Sequence, residues 1–193
     1  MSKKEPDGAA VEKDADGLVV QKYHSQVLVV VPPANFAEQT LRHARSSLHN
    51  VHVGTTSVST NTQDLIRGRL QDEFQVDGDI AQVSMDGYSG VIFVGGEGAL
   101  QLVDHPHAQR LAREAAAQSK MIGAWGHSVA ILAQAGILKG KRVTGAAEIK
   151  DAVVRAGGKF SGRQLERDGV LVTATDEAVG IRFGKTLAQI VGI

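Results

Sequence analysis

The tripeptide Gly126-His127-Ser128 follows the apolar run "KMIGAW" and leads into "SVAILAQAG". A serine at such a corner, in a segment close to G-x-S-x-G, is the arrangement that presents a hydroxyl nucleophile at a strand-to-helix turn. That chemistry needs an acid and then a histidine downstream of the serine, because both partners ride on later strands and loops. All 7 histidines lie at or before His127, so Ser128 has no partner of that order. Thiol chemistry is also excluded: the cysteine count is 0, which removes disulfides, thiolate metal ligands and thiol nucleophiles together. His127 remains as a general base or anion-binding group, or simply as the polar start of a helix. Among carboxylates, Glu38 has the best claim to join it, because its loop is predicted to face the same crevice. Asp104-His105-Pro106-His107 has the residue types of a metal site. Its two histidines do not share a helical face, however, so a capped helix is the better reading and no metal site is expected.

The elements that must position these residues can be read from hydrophobic pattern. "SQVLVVVPP" is a continuous apolar run stopped by prolines, as expected of a strand buried on both faces. Asn35 is placed to cap the helix "FAEQTLRHARSSLHN", and "VHVGTTSV" reads as the next strand. From Thr60 to Tyr88 shorter alternating pieces suggest a small β-hairpin excursion at a sheet edge. The alternation then resumes with the strand "GVIFVGG", the helix "HPHAQRLAREAAAQS" with Pro106 in its first turn, and the strand "KMIGAW". Beyond the corner follow a helix, a short strand at Arg142 to Thr144, the helix "AEIKDAVVRAGG", a hairpin turning at Asp168-Gly169 and a terminal helix from about Glu177. Strands alternating with helices imply a mainly parallel sheet covered on both faces, with its site beyond the strands' carboxyl ends. This rule brings three loops to one crevice: "PPANFAE", "GGEGA" and "GHSVA". Gly95-Gly96 there suits close backbone approach and N–H donation to an oxyanion, or merely a tight turn. "GGEG" lacks the full G-x-G-x-x-G spacing, and no cofactor is expected. Trp125 is read as a core aromatic beneath the corner, with a ligand platform as the other option.

Composition bounds the rest. The 193 residues, 42% hydrophobic, suit one domain over residues 24–193 behind a charged, Gly/Ala-rich leader at 1–23, read as flexible. Lys and Arg number 21 and Asp and Glu 21, so no global charge draws the chain to nucleic acid. No apolar run approaches the roughly 18 residues that span a bilayer, so no membrane partner is expected and a cytoplasmic location is the default.

"GHSVAILAQAGILKGKRVTG", followed by "EIKDAVVRAGGKF" and "ERDGVLVTA", resembles the DJ-1/PfpI (ThiJ) family of the class I glutamine amidotransferase-like superfamily. Members typically read A-x-C-H-G-P-A-I-L-A at this place. The similarity extends to "DGYSGVIFVGGEG" and "VLVVVPPANF", covering roughly Gln26 to the C-terminus. It implies a flavodoxin-like three-layer α/β sandwich and a homodimer. Residue by residue, Gly126 falls on the family's nucleophilic cysteine, His127 on the histidine that often follows, and Ser128 on the next glycine. The family carboxylate of the first loop falls on or next to Ala37, with Glu38 one residue away. A second glutamate falls near Leu100, with Glu97 displaced. Glycine at the elbow relaxes a strained conformation worth about 1–3 kcal/mol, or opens room for a ligand or the Trp125 ring. The resemblance therefore implies a cysteine-less member in a binding or stress-associated role, with a possible small-molecule ligand. The rival is a hydrolase or glyoxalase/deglycase-like enzyme that uses His127, Glu38 and an activated water.

Overall fold

A computed structural model describes residues 12–13, 19–20, 23–63 and 65–192. Most of the leader expected over 1–23 lies outside the described residues; within it, Glu12–Lys13 pairs antiparallel with Val19–Val20.

The central sheet has seven strands: β1 (Ser25–Val30), β2 (Val53–Ser59), β3 (Gly78–Asp79), β4 (Tyr88–Phe93), β5 (Met121–Trp125), β6 (Leu165–Asp168) and β7 (Leu171–Ala174), in the order β6-β7-β5-β4-β1-β2-β3. All neighbours pair in parallel except β6 and β7, which form the antiparallel hairpin expected at Asp168-Gly169. Strand order reverses between β1 and β4, and a crevice beyond their carboxyl ends follows from the loops leaving in opposite directions.

Side-chain alternation along the strands divides the core. Leu28, Val30, Val91, Phe93, Ile122 and Ala124 belong to one buried cluster, which also holds Leu111 of α2 (Pro106–Ala117) and Leu132 of α3 (Val129–Gln134). Val27, Val29, Ile92, Val94 and Trp125 belong to the other, with Leu41 and Leu48 of α1 (Glu38–His49) and Phe183 and Leu187 of α5 (Gly180–Val191). Each such Val, Leu, Ile or Phe contributes about 1.5–3 kcal/mol when fully buried. The remaining helix, α4 (Lys150–Arg155), adds Val153 to the first cluster.

The small excursion is real but takes two forms. Ile66–Arg67 pairs antiparallel with Glu73–Phe74, whereas β3 joins the main sheet edge beside β2. Two local expectations are corrected. Asn35 does not cap α1: it has φ 52°, and the helix begins after Ala37, which offers no side-chain cap. The reason is that Phe36 is held in extended pairing with Gly68, and Asn35 N–H donates to Arg67 O at 2.8 Å. Helix starts after the corner and before α4 and α5 are 3-10 turns, at Gly126–Ser128, Ala147–Ile149 and Glu177–Val179.

Candidate functional site

β5 ends at Trp125, and the chain turns at Gly126 with φ 60°, the left-handed region that glycine enters without a Cβ clash. The three loops anticipated from sequence meet here. Gly96, itself at φ 102°, is packed so tightly that a Cβ on it would lie 2.5 Å from Asn35 O. Ala37 N–H donates to Gly95 O at 2.8 Å, tying the first loop to the second. A Cβ on Gly95 would meet Trp125 O at 2.4 Å and the indole Nε1 at 2.6 Å, so paired glycines are a packing requirement at this junction. A fourth loop closes the site, since Ala146 N–H donates to Gly126 O at 3.2 Å.

These loops enclose a cavity of about 480 Å³, lined by Ala37, Gly96, Glu97, Trp125, Gly126 and His127 from the expected set. Residues not anticipated from sequence complete it: Arg69, Glu148, Phe160, Thr175, Asp176 and Glu177. Glu177 is fixed at both oxygens. Oε1 accepts from Gln39 N–H at 3.1 Å, satisfying an orphan donor at the start of α1, and Oε2 pairs with Arg69 at 2.9 Å. His127 is one-fifth exposed, and its Nε2 stands 3.9 Å from a carboxylate oxygen of Glu148 across the cavity, a long contact. Among the described residues no group of three or more His, Cys, Asp or Glu side chains is arranged to hold a metal ion.

Two candidates are placed elsewhere. Ser128 is fully buried. Its Oγ accepts from Trp125 N–H at 3.1 Å, and its single proton has Phe93 O at 2.8 Å and Trp125 O at 2.9 Å within reach. The hydroxyl joins the ends of β4 and β5 and does not face the cavity, the position expected of a residue two beyond the presented one. Glu38 is 2% exposed, and its Oε1 accepts from Leu70 N–H at 2.6 Å. It lines a separate cavity of about 300 Å³ with Phe36, Leu41 and Phe74. Facing the crevice was the wrong expectation for Glu38: successive residues entering a helix diverge, and Ala37 is the one that turns inward. Leu100 is half exposed and outside the cavity, whereas Glu97 lines it. Trp125 is 1% exposed, packs edge-on to Phe183 at 5.4 Å, and forms part of the cavity wall, so it is both core aromatic and lining.

Around His105, pKa is lowered by burial and then by the neighbouring His107, with Asp79 opposing. None of His105, His107 and Asp79 lines the crevice.

The DJ-1/PfpI family model matches residues 25–190. A Methanocaldococcus jannaschii protein of uncharacterized role is 29% identical over 164 residues, covering 83% of this chain and 80% of that one. Among solved structures, a ThiJ/PfpI domain protein from Brachyspira murdochii superposes with TM-score 0.82 at 23% identity, covering 88% of this chain and 97% of the other. DJ-1beta of Drosophila melanogaster gives TM-score 0.77 at 21% identity, covering 88% and 91%. At these identities the structural likeness speaks to the fold.

Proposed function

Since the chain belongs to the DJ-1/PfpI family, we propose that it is a member that binds a small molecule in the Gly126 crevice, without cysteine-based catalysis, in a binding or stress-associated role. What supports this most is Gly126 itself. The residue at the corner carries no side chain, and a Cβ there would meet nothing closer than 3.6 Å, so the corner contributes open space to a cavity of about 480 Å³. A pocket of that size suits a small ligand. A homodimer in the cytoplasm belongs to the same reading, and mass measurement in solution checks the assembly.

The rival, water activated by His127 and Glu38, is weakened because the Glu38 carboxylate is committed to the Leu70 amide and lines a different cavity. Acid–base chemistry needs its groups within hydrogen-bond reach of one reacting centre. Thermal-shift screening of a small-molecule library, run beside methylglyoxal and peptide turnover assays, separates the two. Ligands that raise the melting temperature with no turnover support binding. Turnover abolished by His127→Ala and insensitive to thiol reagents supports the rival.

A further inference from the structure

We propose that the corner at Gly126 recognises an uncharged ligand group bearing both a hydrogen-bond donor and an acceptor, a hydroxyl or a primary carboxamide, in preference to a carboxylate or an ammonium; this rests on the crevice being a ligand site. A Cβ on Gly126 would have only two neighbours within 4 Å, Thr175 O at 3.6 Å and Gly96 N at 3.9 Å. One is an acceptor and the other a donor, they belong to different loops, and all three residues line the cavity. A ligand atom displaced from that point by less than about 1 Å comes within the hydrogen-bonding range of either group, about 2.7–3.2 Å.

The other main-chain bonds at these residues show what is left over. Ala99 N–H donates to Gly96 O at 3.1 Å, Ala146 N–H to Gly126 O at 3.2 Å, and Thr175 N–H to Gln164 O at 3.0 Å. Among the described residues, Gly96 N–H and Thr175 O have no such partner. Main-chain donors and acceptors away from bulk water are rarely left unpaired, so a group entering the corner is selected by how well it serves both. A carboxylate accepts from Gly96 N–H but sets its negative charge against the Thr175 carbonyl oxygen. An ammonium donates to that oxygen but offers nothing to Gly96 N–H. A hydroxyl or a primary carboxamide donates to one and accepts from the other. Gly96 alone suits an oxyanion; the Thr175 carbonyl turns the preference to a neutral group.

Four probes with matched four-carbon skeletons, butanol, butanamide, butylamine and butyrate, are titrated into the protein at about pH 7, where the last two are charged. Salt at about 0.15 M screens the exposed carboxylates of the wall beyond roughly 8 Å. The readouts are the Gly96 amide resonance and the Thr175 carbonyl carbon shift in isotope-labelled protein, which report on the two groups directly. Butanol and butanamide are expected to move both resonances saturably and to bind at least about tenfold more tightly than butylamine or butyrate. Gly126→Ala places a methyl group between the two partners and should weaken the neutral probes by at least about tenfold, with circular dichroism showing that the variant is folded. Should that variant not fold, the selectivity of the parent protein decides alone. Equal or tighter binding of a charged probe, neutral probes that bind without moving Gly96 and Thr175, or unchanged affinity in folded Gly126→Ala overturns the assignment. If no probe binds, the assignment falls as well. The library screen then shows whether the crevice reading falls with it: ligands that move the Gly96 or His127 amide resonances leave that reading standing, and their absence removes both.

Discussion

Gly126 faces Gly96 across ordinary van der Waals space: a Cβ on Gly126 would lie 3.9 Å from the Gly96 amide nitrogen. The corner therefore has room for a side chain, and only its φ of 60° penalises one. Gly126→Cys should destabilise the fold by about 1–2 kcal/mol, the cost of the left-handed conformation, and yield a thiol that alkylating reagents reach. Methylglyoxal turnover should stay near background, because Ala37 stands where a facing carboxylate would be needed and Glu38 is engaged elsewhere. Urea denaturation and a turnover assay on one preparation check both halves. Efficient turnover would mean that the cysteine alone had been lost.

Ser128→Ala removes a buried hydroxyl that joins the ends of β4 and β5. Leaving its partners short of a hydrogen bond should cost about 1–3 kcal/mol. Affinity for any crevice ligand should change little once measured well below the melting temperature. A variant as stable as the parent but unable to bind or turn over ligand would place the hydroxyl in the site after all.

How much of this was legible before the structure depends on range. The parallel sheet, the corner at Gly126 and the meeting of its three loops follow from strand pattern and the carboxyl-end rule, because each loop is fixed by the strand next to it. Arg69 and Glu177 are 108 positions apart in sequence, and nothing local announces that the excursion's turn reaches the start of α5. Glu38 fails for a different reason. A single step of register at a helix start sends a side chain to another face, and Asn35 looked like a cap while Phe36 was held by Gly68. The "TDEAVG" segment does carry a legible signal, since Asp176 caps the turn after it, but its role as a crevice wall is tertiary.

Gly180 and Gly184 lie one helical turn apart on α5, where it crosses α1. A Cβ on Gly184 would stand 2.7 Å from His43 O and 2.7 Å from Ser47 Oγ. Although alanine is the better helix former, Gly184→Ala should lower stability by about 1–3 kcal/mol, since backbone on the opposing helix must shift. Thermal unfolding decides the sign, and a stabilised variant would mean the helices separate freely.

Glu38→Ala should release the Leu70 amide and loosen the turn beside Ile66–Arg67 and Glu73–Phe74. The expected loss is about 1–3 kcal/mol, with Glu38→Gln retaining much of it because the amide oxygen still accepts. Hydrogen exchange at Leu70 should rise in the alanine variant, while crevice affinity stays the same. A selective loss of crevice binding in Glu38→Gln would restore this carboxylate to the site.

Acid sensitivity should be traceable to Asp168. Its Oδ2 accepts from Arg142 N–H at 2.9 Å, and that hydrogen bond, followed by the charges of Lys141 and Arg142, holds its pKa below the ordinary 3.8 despite partial burial. A carboxylate whose folded pKa is depressed releases its proton more readily in the native than in the unfolded state. Its stabilising contribution is therefore complete above the unfolded value and is lost as pH falls from there through the folded value. Asp168→Asn keeps an acceptor for Arg142 but removes the charge. The variant should be less stable than the parent at neutral pH by an amount that is constant down to about pH 5 and shrinks below about pH 4. Urea midpoints of both proteins across that range measure the gap. A gap that persists undiminished at about pH 3 would show that the carboxylate's charge is not what Arg142 and Lys141 stabilise.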